Sequence, residues 1–230
     1  MMFYGFDSTY FLVIVGMGIV MFAQSRVKST FNKYDQLETE KRITGKKAAE
    51  YILKEAGITN VKVEQVKGQL TDHYDPRNKV LRLSEATYNR TSVAAVAVAA
   101  HECGHAVQDQ QGYSFLKVRS AIAPVVQIGS QIAVPLIFIG LLLQFSGLIN
   151  IVIIAFALVL VFQLITLPVE FDASKRALAV LGDSGVFVAE EVPAAKKVLN
   201  AAAFTYIAAT LSTALQLLRF ILMSNNRRRN

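Results

Sequence analysis

Long apolar runs alternate with one polar stretch along the chain, and that alternation sets its outline. Residues 3–23 are apolar apart from Asp7, Ser8 and Thr9, which is enough for one membrane-spanning helix of about 20 residues. Residues 25–120 are mixed. A second apolar run extends from Ala121 to about Leu143, an uncharged break covers residues 144–150, and a third run covers Ile151 to Leu167. Both runs suit spans, and the short break makes them a hairpin. Residues 201–223 are apolar enough for a fourth span, but Arg219 and the tail Arg227, Arg228 and Arg229 interrupt the pattern. That segment either crosses the bilayer or lies along it, packed on the polar domain.

Shorter periods appear inside the polar stretch. Thr44 opens a helix through AAEYILKEA that stops at Gly57. Val61, Val63 and Val66 suggest a short strand. In LTDHYDPRNKVLRLS, the turn residues Asp75 to Asn78 separate two extended pieces, and Leu81 and Leu83 alternate with Arg82 as in a half-buried strand. Ser92 to Gln111, SVAAVAVAAHECGHAVQDQQ, reads as a buried helix with Ser92 as N-cap and Gly112 as stop. The expected fold class is α+β: a mostly helical integral membrane protein with a small domain that holds a short β-hairpin or sheet and this helix. The expected divisions are a first span over 1–24, the polar domain over 25–120, a transmembrane hairpin over 121–168, a helix completing the domain over 169–200, and an apolar helix with a basic tail over 201–230.

Composition supports the membrane reading, because 53% of the residues are hydrophobic and only 18% are charged. A net charge of +7 is accounted for by basic flanks of spans, and no basic stripe interleaved with aromatics points to nucleic acid. Arg26, Lys28 and Lys33 follow the first span, so the positive-inside rule places the N-terminus outside and the polar domain in the cytoplasm, on a multi-pass protein of the cell membrane. The first span lacks a Lys or Arg before Arg26, unlike a cleaved signal peptide. Cys103 is the single cysteine, so no intrachain disulfide is possible.

The chemistry concentrates in HECGH. His101 and His105 stand at i and i+4, so both imidazoles leave one helix face and can reach one zinc ion at about 2.0–2.1 Å. Glu102, one position on, can reach a metal-bound water. A chain of this length shows HExxH by chance roughly once in a hundred sequences. The Ala/Val-rich run before the motif sharpens the reading, since buried imidazoles and a carboxylate require partners. A catalytic zinc takes three protein ligands and an open position. Two spans separate His105 from PVEFDAS, so parity returns Glu170 to the same face, and Glu170 is the preferred third ligand. Asp172 is the alternative, with Glu190 and Glu191 behind it in a Pro-broken, exposed-looking stretch. Cys103 lies off the histidine face and suits packing. His73 is either a surface turn residue bonded to Asp72 or Asp75, or it or Tyr74 steadies an oxyanion. Gln127, Ser130, Gln131 and Val134 share a helix face in the second run, and Gln163 and Thr166 lie in the third, so helix–helix hydrogen bonding or a wet passage is expected there.

The pieces LTDHYDPRNKVLRLSE, VAAHECGHAVQ, LKVRSAIAPV and TLPVEFDASKRAL, spread over most of the chain, resemble the YugP-like family of membrane zinc metallopeptidases. More distantly, the order of HExxH, transmembrane hairpin and E-F-x-A-D helix is similar to HtpX-type and prenyl-processing membrane gluzincins. The resemblance implies His101, His105 and Glu170 as zinc ligands and Glu102 as general base. Ser174 stands where that distant pattern has Asp, with Asp172 two places earlier, so the carboxylate that would orient a ligand histidine is either missing or supplied by Asp172. The implied function is a zinc-dependent endopeptidase acting at the cytoplasmic membrane surface on peptides or membrane proteins, with the lipid bilayer as its other partner. The rivals are a membrane adaptor with a closed structural zinc and, more weakly, a small transporter.

Overall fold

The computed structural model describes residues 9–142 and 147–229, and the side chains of 130–146, 148 and 226–229 lie outside that description. The expected roles of the Ser130, Gln131 and Val134 side chains therefore fall outside that description, as do Asp7 and residues 144–146 of the hairpin break. Helix α1 covers Tyr10–Asp35 and α2 covers Gly45–Glu55. Strands β1, β2 and β3 are Lys62–Val66, His73–Asp75 and Val80–Ser84. The short α3 (Glu85–Tyr88) leads to α4 (Val93–Gln110), and the chain ends in three long helices, α5 (Ser114–Leu142), α6 (Leu148–Asp183) and α7 (Val192–Arg229).

Local chemistry explains most of these boundaries. The Thr44 side chain accepts a hydrogen bond from Lys47 N at 3.2 Å to cap α2, and Gly57 follows that helix at φ +68°. Ser92 caps α4 in the same way through Ala95 N, while its hydroxyl donates to Asp35 Oδ1 at 2.7 Å and so ties the start of α4 to the end of α1. Gly112 closes α4 at φ +67°. In the β2–β3 turn, Asp75 Oδ1 accepts from the main-chain N–H groups of Arg77 and Asn78 at 3.0 and 3.1 Å.

The strands form one mixed sheet in the order β1-β3-β2, with β1 parallel and β2 antiparallel to the central β3. This leaves β2 as an edge strand. Leu81 and Leu83 of β3 are fully buried beneath α4 and α2, among Ala48, Ile52 and the Val93–Ala100 run. Cys103 packs into this core with Sγ 3.6 Å from Ala49 O, the packing role expected of it.

Three described helices are long and apolar enough to cross a bilayer: Tyr10–Asp35, Ile149–Asp183 and Val192–Asn225. Helices α1 and α7 run antiparallel: Arg219 lies over the Tyr10 ring, Gly16 meets Ser212, and the Phe22 and Phe204 rings stack edge to face at 6.2 Å. Helix α6 packs on the other side of α7, and α5 packs on α6. The 201–223 segment is thus the middle of one straight-through helix lined up beside α1. Helix α6 continues through Pro168 without a break, so a single rod carries both the apolar run and Glu170.

Candidate metal centre

Helix α4 crosses α6 at Gly104, where the absence of a side chain lets the helix backbones touch at Ala173. Three residues to one side of that crossing, His101 projects from α4; one turn before Ala173 on α6 stands Glu170, only 1% exposed. Glu170 Oε2 lies 3.2 Å from His101 Nε2 and 3.7 Å from His105 Nε2. The two imidazoles are set nearly perpendicular, with ring centroids 4.8 Å apart at 82°. One ligand atom from each of the three residues lies within 4.8 Å of the others. A tetrahedral zinc with ligands at 2.0–2.1 Å spaces them about 3.3 Å apart, so this donor set fits zinc in type and spacing.

The outer nitrogens are held as well. His105 Nδ1 pairs with Gln108 Oε1 at 3.0 Å. The amide of Gln108 is itself fixed, because its Nε2 donates to Val169 O and to Asp172 Oδ2, both at 2.8 Å. His101 Nδ1 pairs with Ser174 Oγ at 3.1 Å. With both Nδ1 atoms engaged, each Nε2 is left to face the centre. Arg119 of α5 donates to Glu170 Oε1 at 2.8 Å, leaving Oε2 toward the histidines. Ser174 and Asp172 therefore both orient the candidate donor histidines, Ser174 directly and Asp172 through Gln108. Asp172 also accepts from Arg176 Nε at 2.5 Å and is not among the converging donors.

Glu102 is buried on the adjacent side of α4, and burial pushes its carboxyl up to about 7, with the neighbouring Glu170 charge adding and His101 and the Tyr74 main-chain N–H opposing. It borders a cavity of about 520 Å³ whose walls come from two sources. One wall is the β2 edge, Asp72 to Arg77; the other is α5 from Leu116 through Arg119, Ser120 and Pro124 to Gln127, with Tyr206 of α7 beside Glu170. An open cavity at a three-donor centre leaves room for water and an extended chain.

Other candidates have different roles. Glu191 is buried rather than exposed, and its carboxylate accepts from Glu40 N at 2.8 Å and Val188 N at 3.0 Å, tying two loops together. Glu190 is exposed in the same turn. His73 lines the cavity but bonds neither Asp72 nor Asp75; its Nδ1 pairs with Thr71 O at 2.9 Å. Asp72 instead accepts from Ser84, and Asp75 is used by the turn. The Tyr74 hydroxyl donates to Asp109 at 2.6 Å; burial and that carboxylate hold its pKa above the ordinary range. Arg119, Gln108 and Tyr206 were not legible as site residues: Arg119 reads as a topology charge, Gln108 as a helix-end polar, and Tyr206 as one ring in an apolar run.

The chain belongs to the family described as "Putative neutral zinc metallopeptidase", whose profile matches residues 9–225. It is 46% identical over 219 residues to the "Putative membrane protease YugP" of Bacillus subtilis (strain 168), covering 95% of this chain and 97% of that protein. No solved structure matches it.

Proposed function

We propose that this protein is a membrane-bound zinc endopeptidase in which His101, His105 and Glu170 hold the metal and Glu102 is the general base. The observation that carries the reading is the convergence of three donors, from α4 and α6, beside a buried carboxylate on an open cavity. Zinc at such a site supplies Lewis acidity that brings water to nucleophilic strength near neutral pH. Glu102, with a carboxyl near 7 in the metal-free protein, accepts a proton from the attacking water and passes it to the leaving amine. Arg119 holds Glu170 in a one-oxygen ligand pose, and Gln108 and Ser174 keep the imidazoles in the ligating tautomer.

No further strand lies beside the edge strand β2, which lines the cavity, so the substrate backbone adds there as an extended strand. Because the opposite wall is the membrane-proximal part of α5, the substrate class is a peptide segment emerging from the bilayer: the juxtamembrane part of a membrane protein, or a released membrane peptide. Arg26, Lys28 and Lys33 at the domain end of α1 support a cytoplasmic position for that surface.

The test compares Glu102→Gln with His101→Ala in the full chain. Glu102→Gln retains zinc stoichiometry and loses hydrolysis by at least about 10²-fold, while His101→Ala loses both. Hydrolysis by Glu102→Gln at the parental rate overturns the assignment. A structural zinc in an adaptor protein is separated by a hydroxamate, which binds an open zinc and ignores a closed one.

A further inference from the structure

A second cleft lies away from the metal centre, in the seam between α1 and α7. Arg26, Ser29, Thr30, Lys33 and Tyr34 of α1 face Lys197 and Asn200 of α7 around about 390 Å³. Three cations, two hydroxyls, a phenol and a carboxamide thus converge on one space, and no carboxylate lines it. Among the described residues, no ion pair ties Arg26, Lys33 or Lys197 to an acid. Arg26 is held at the seam, with its guanidinium carbon 5.8 Å from the Phe204 ring centroid.

The level of the cleft matters as much as its charge. On α1 the apolar face runs from Tyr10 to Phe22 and the basic residues begin at Arg26; on α7 Lys196 and Lys197 end just before the apolar run from Ala201. Since the helices are antiparallel, both changes of character fall at one height, where apolar side chains give way to water. The positive-inside rule accounts for cations at that height. It does not account for hydroxyl and amide groups from two helices meeting the cations in a shared cavity.

We propose that this cleft binds a phosphate group, as presented by an anionic phospholipid headgroup. Arg26 contributes a guanidinium suited to two phosphate oxygens, Lys33 and Lys197 contribute point charge, and Thr30 and Asn200 contribute neutral donors, the Ser29 hydroxyl being given to Arg26 O at 3.1 Å. Bound there, a headgroup bridges α1 to α7.

The experiment uses the full chain in a neutral detergent, titrated separately with short-chain phosphatidylglycerol, short-chain phosphatidylcholine and sodium phosphate, with bound lipid read by native mass spectrometry and the thermal midpoint read in parallel. Phosphatidylglycerol binds and raises the midpoint, and phosphatidylcholine does not. The double variant Lys33→Gln/Lys197→Gln weakens phosphatidylglycerol binding at least about tenfold. A charge-matched control on α2, Lys46→Gln/Lys47→Gln, changes it less than about twofold, and Lys197→Arg retains it. Equal binding of the two lipids, an unchanged double variant, or an equal loss in the control overturns the proposal. Sodium phosphate binding that depends on Lys33 and Lys197, without phosphatidylglycerol binding, keeps the phosphate site and overturns the lipid as its source.

Discussion

Gly104 of α4 sits so close to Ala173 of α6 that a β-carbon built on it would stand 2.6 Å from the Ala173 carbonyl oxygen and 3.1 Å from its Cα. The obstacle is main chain, so no rotamer change relieves it. Glu170 is three residues from Ala173 and His101 three from Gly104, so the spacing between helices is also the spacing between donors.

Gly104→Ala therefore separates α4 from α6. The expected cost is about 1–3 kcal/mol of stability, the range for overpacking a filled interior. Zinc affinity falls with it, by tenfold or more. Thermal unfolding and zinc titration against a competing chelator measure both, and an unchanged zinc affinity shows that the crossing does not set the site.

Gln108 gives a second prediction. It is fully buried, and its amide is oriented by Val169 O and Asp172 so that its oxygen meets His105 Nδ1. Gln108→Leu removes that partner while keeping the volume close, and lowers zinc affinity about 10–100-fold. Ser174→Ala acts on His101 in the same sense.

The sign of the pH dependence at Glu102 follows from its raised carboxyl. The folded metal-free protein holds the proton up to about pH 7, whereas the ordinary value is 4.5. Below 4.5 the group costs the fold nothing, and stability is lost as pH rises toward 7. Metal-free Glu102→Gln is thus no more stable than the parent near pH 4.5 and more stable at pH 8, by on the order of 2–3 kcal/mol. Thermal scans of both proteins across that range in a chelator test it; a constant offset at all pH values contradicts it.

Arg119 couples α5 to the centre through Glu170 Oε1 at 2.8 Å. Arg119→Ala leaves a nearly buried carboxylate oxygen without its donor, at a cost of about 1.5–3 kcal/mol in the metal-free protein. Zinc offsets part of the loss, so the variant's deficit in thermal midpoint shrinks on metal addition. A deficit that is the same with and without zinc places Arg119 outside the site.

The local features were legible because they depend on neighbours in the chain. The caps Thr44 and Ser92, the stops Gly57 and Gly112, the turn at Asp75 and the i, i+4 pair His101 and His105 each follow from short-range geometry. Apolar run length likewise marked stretches of α1, α5, α6 and α7 as candidate spans, and among the described residues α1, α6 and α7 are long and apolar enough to cross. Counting spans even put Glu170 on the histidines' face, since parity needs no coordinates.

Contacts between distant segments required the tertiary structure. That α7 lies along α1, that Gly104 fits Ala173, that Asp172 works through Gln108, and that Arg119 and Tyr206 border the cavity all join residues tens of positions apart. A side chain's partner across such a distance depends on how whole helices cross, and helix crossing is a property of packed surfaces rather than of any stretch of sequence.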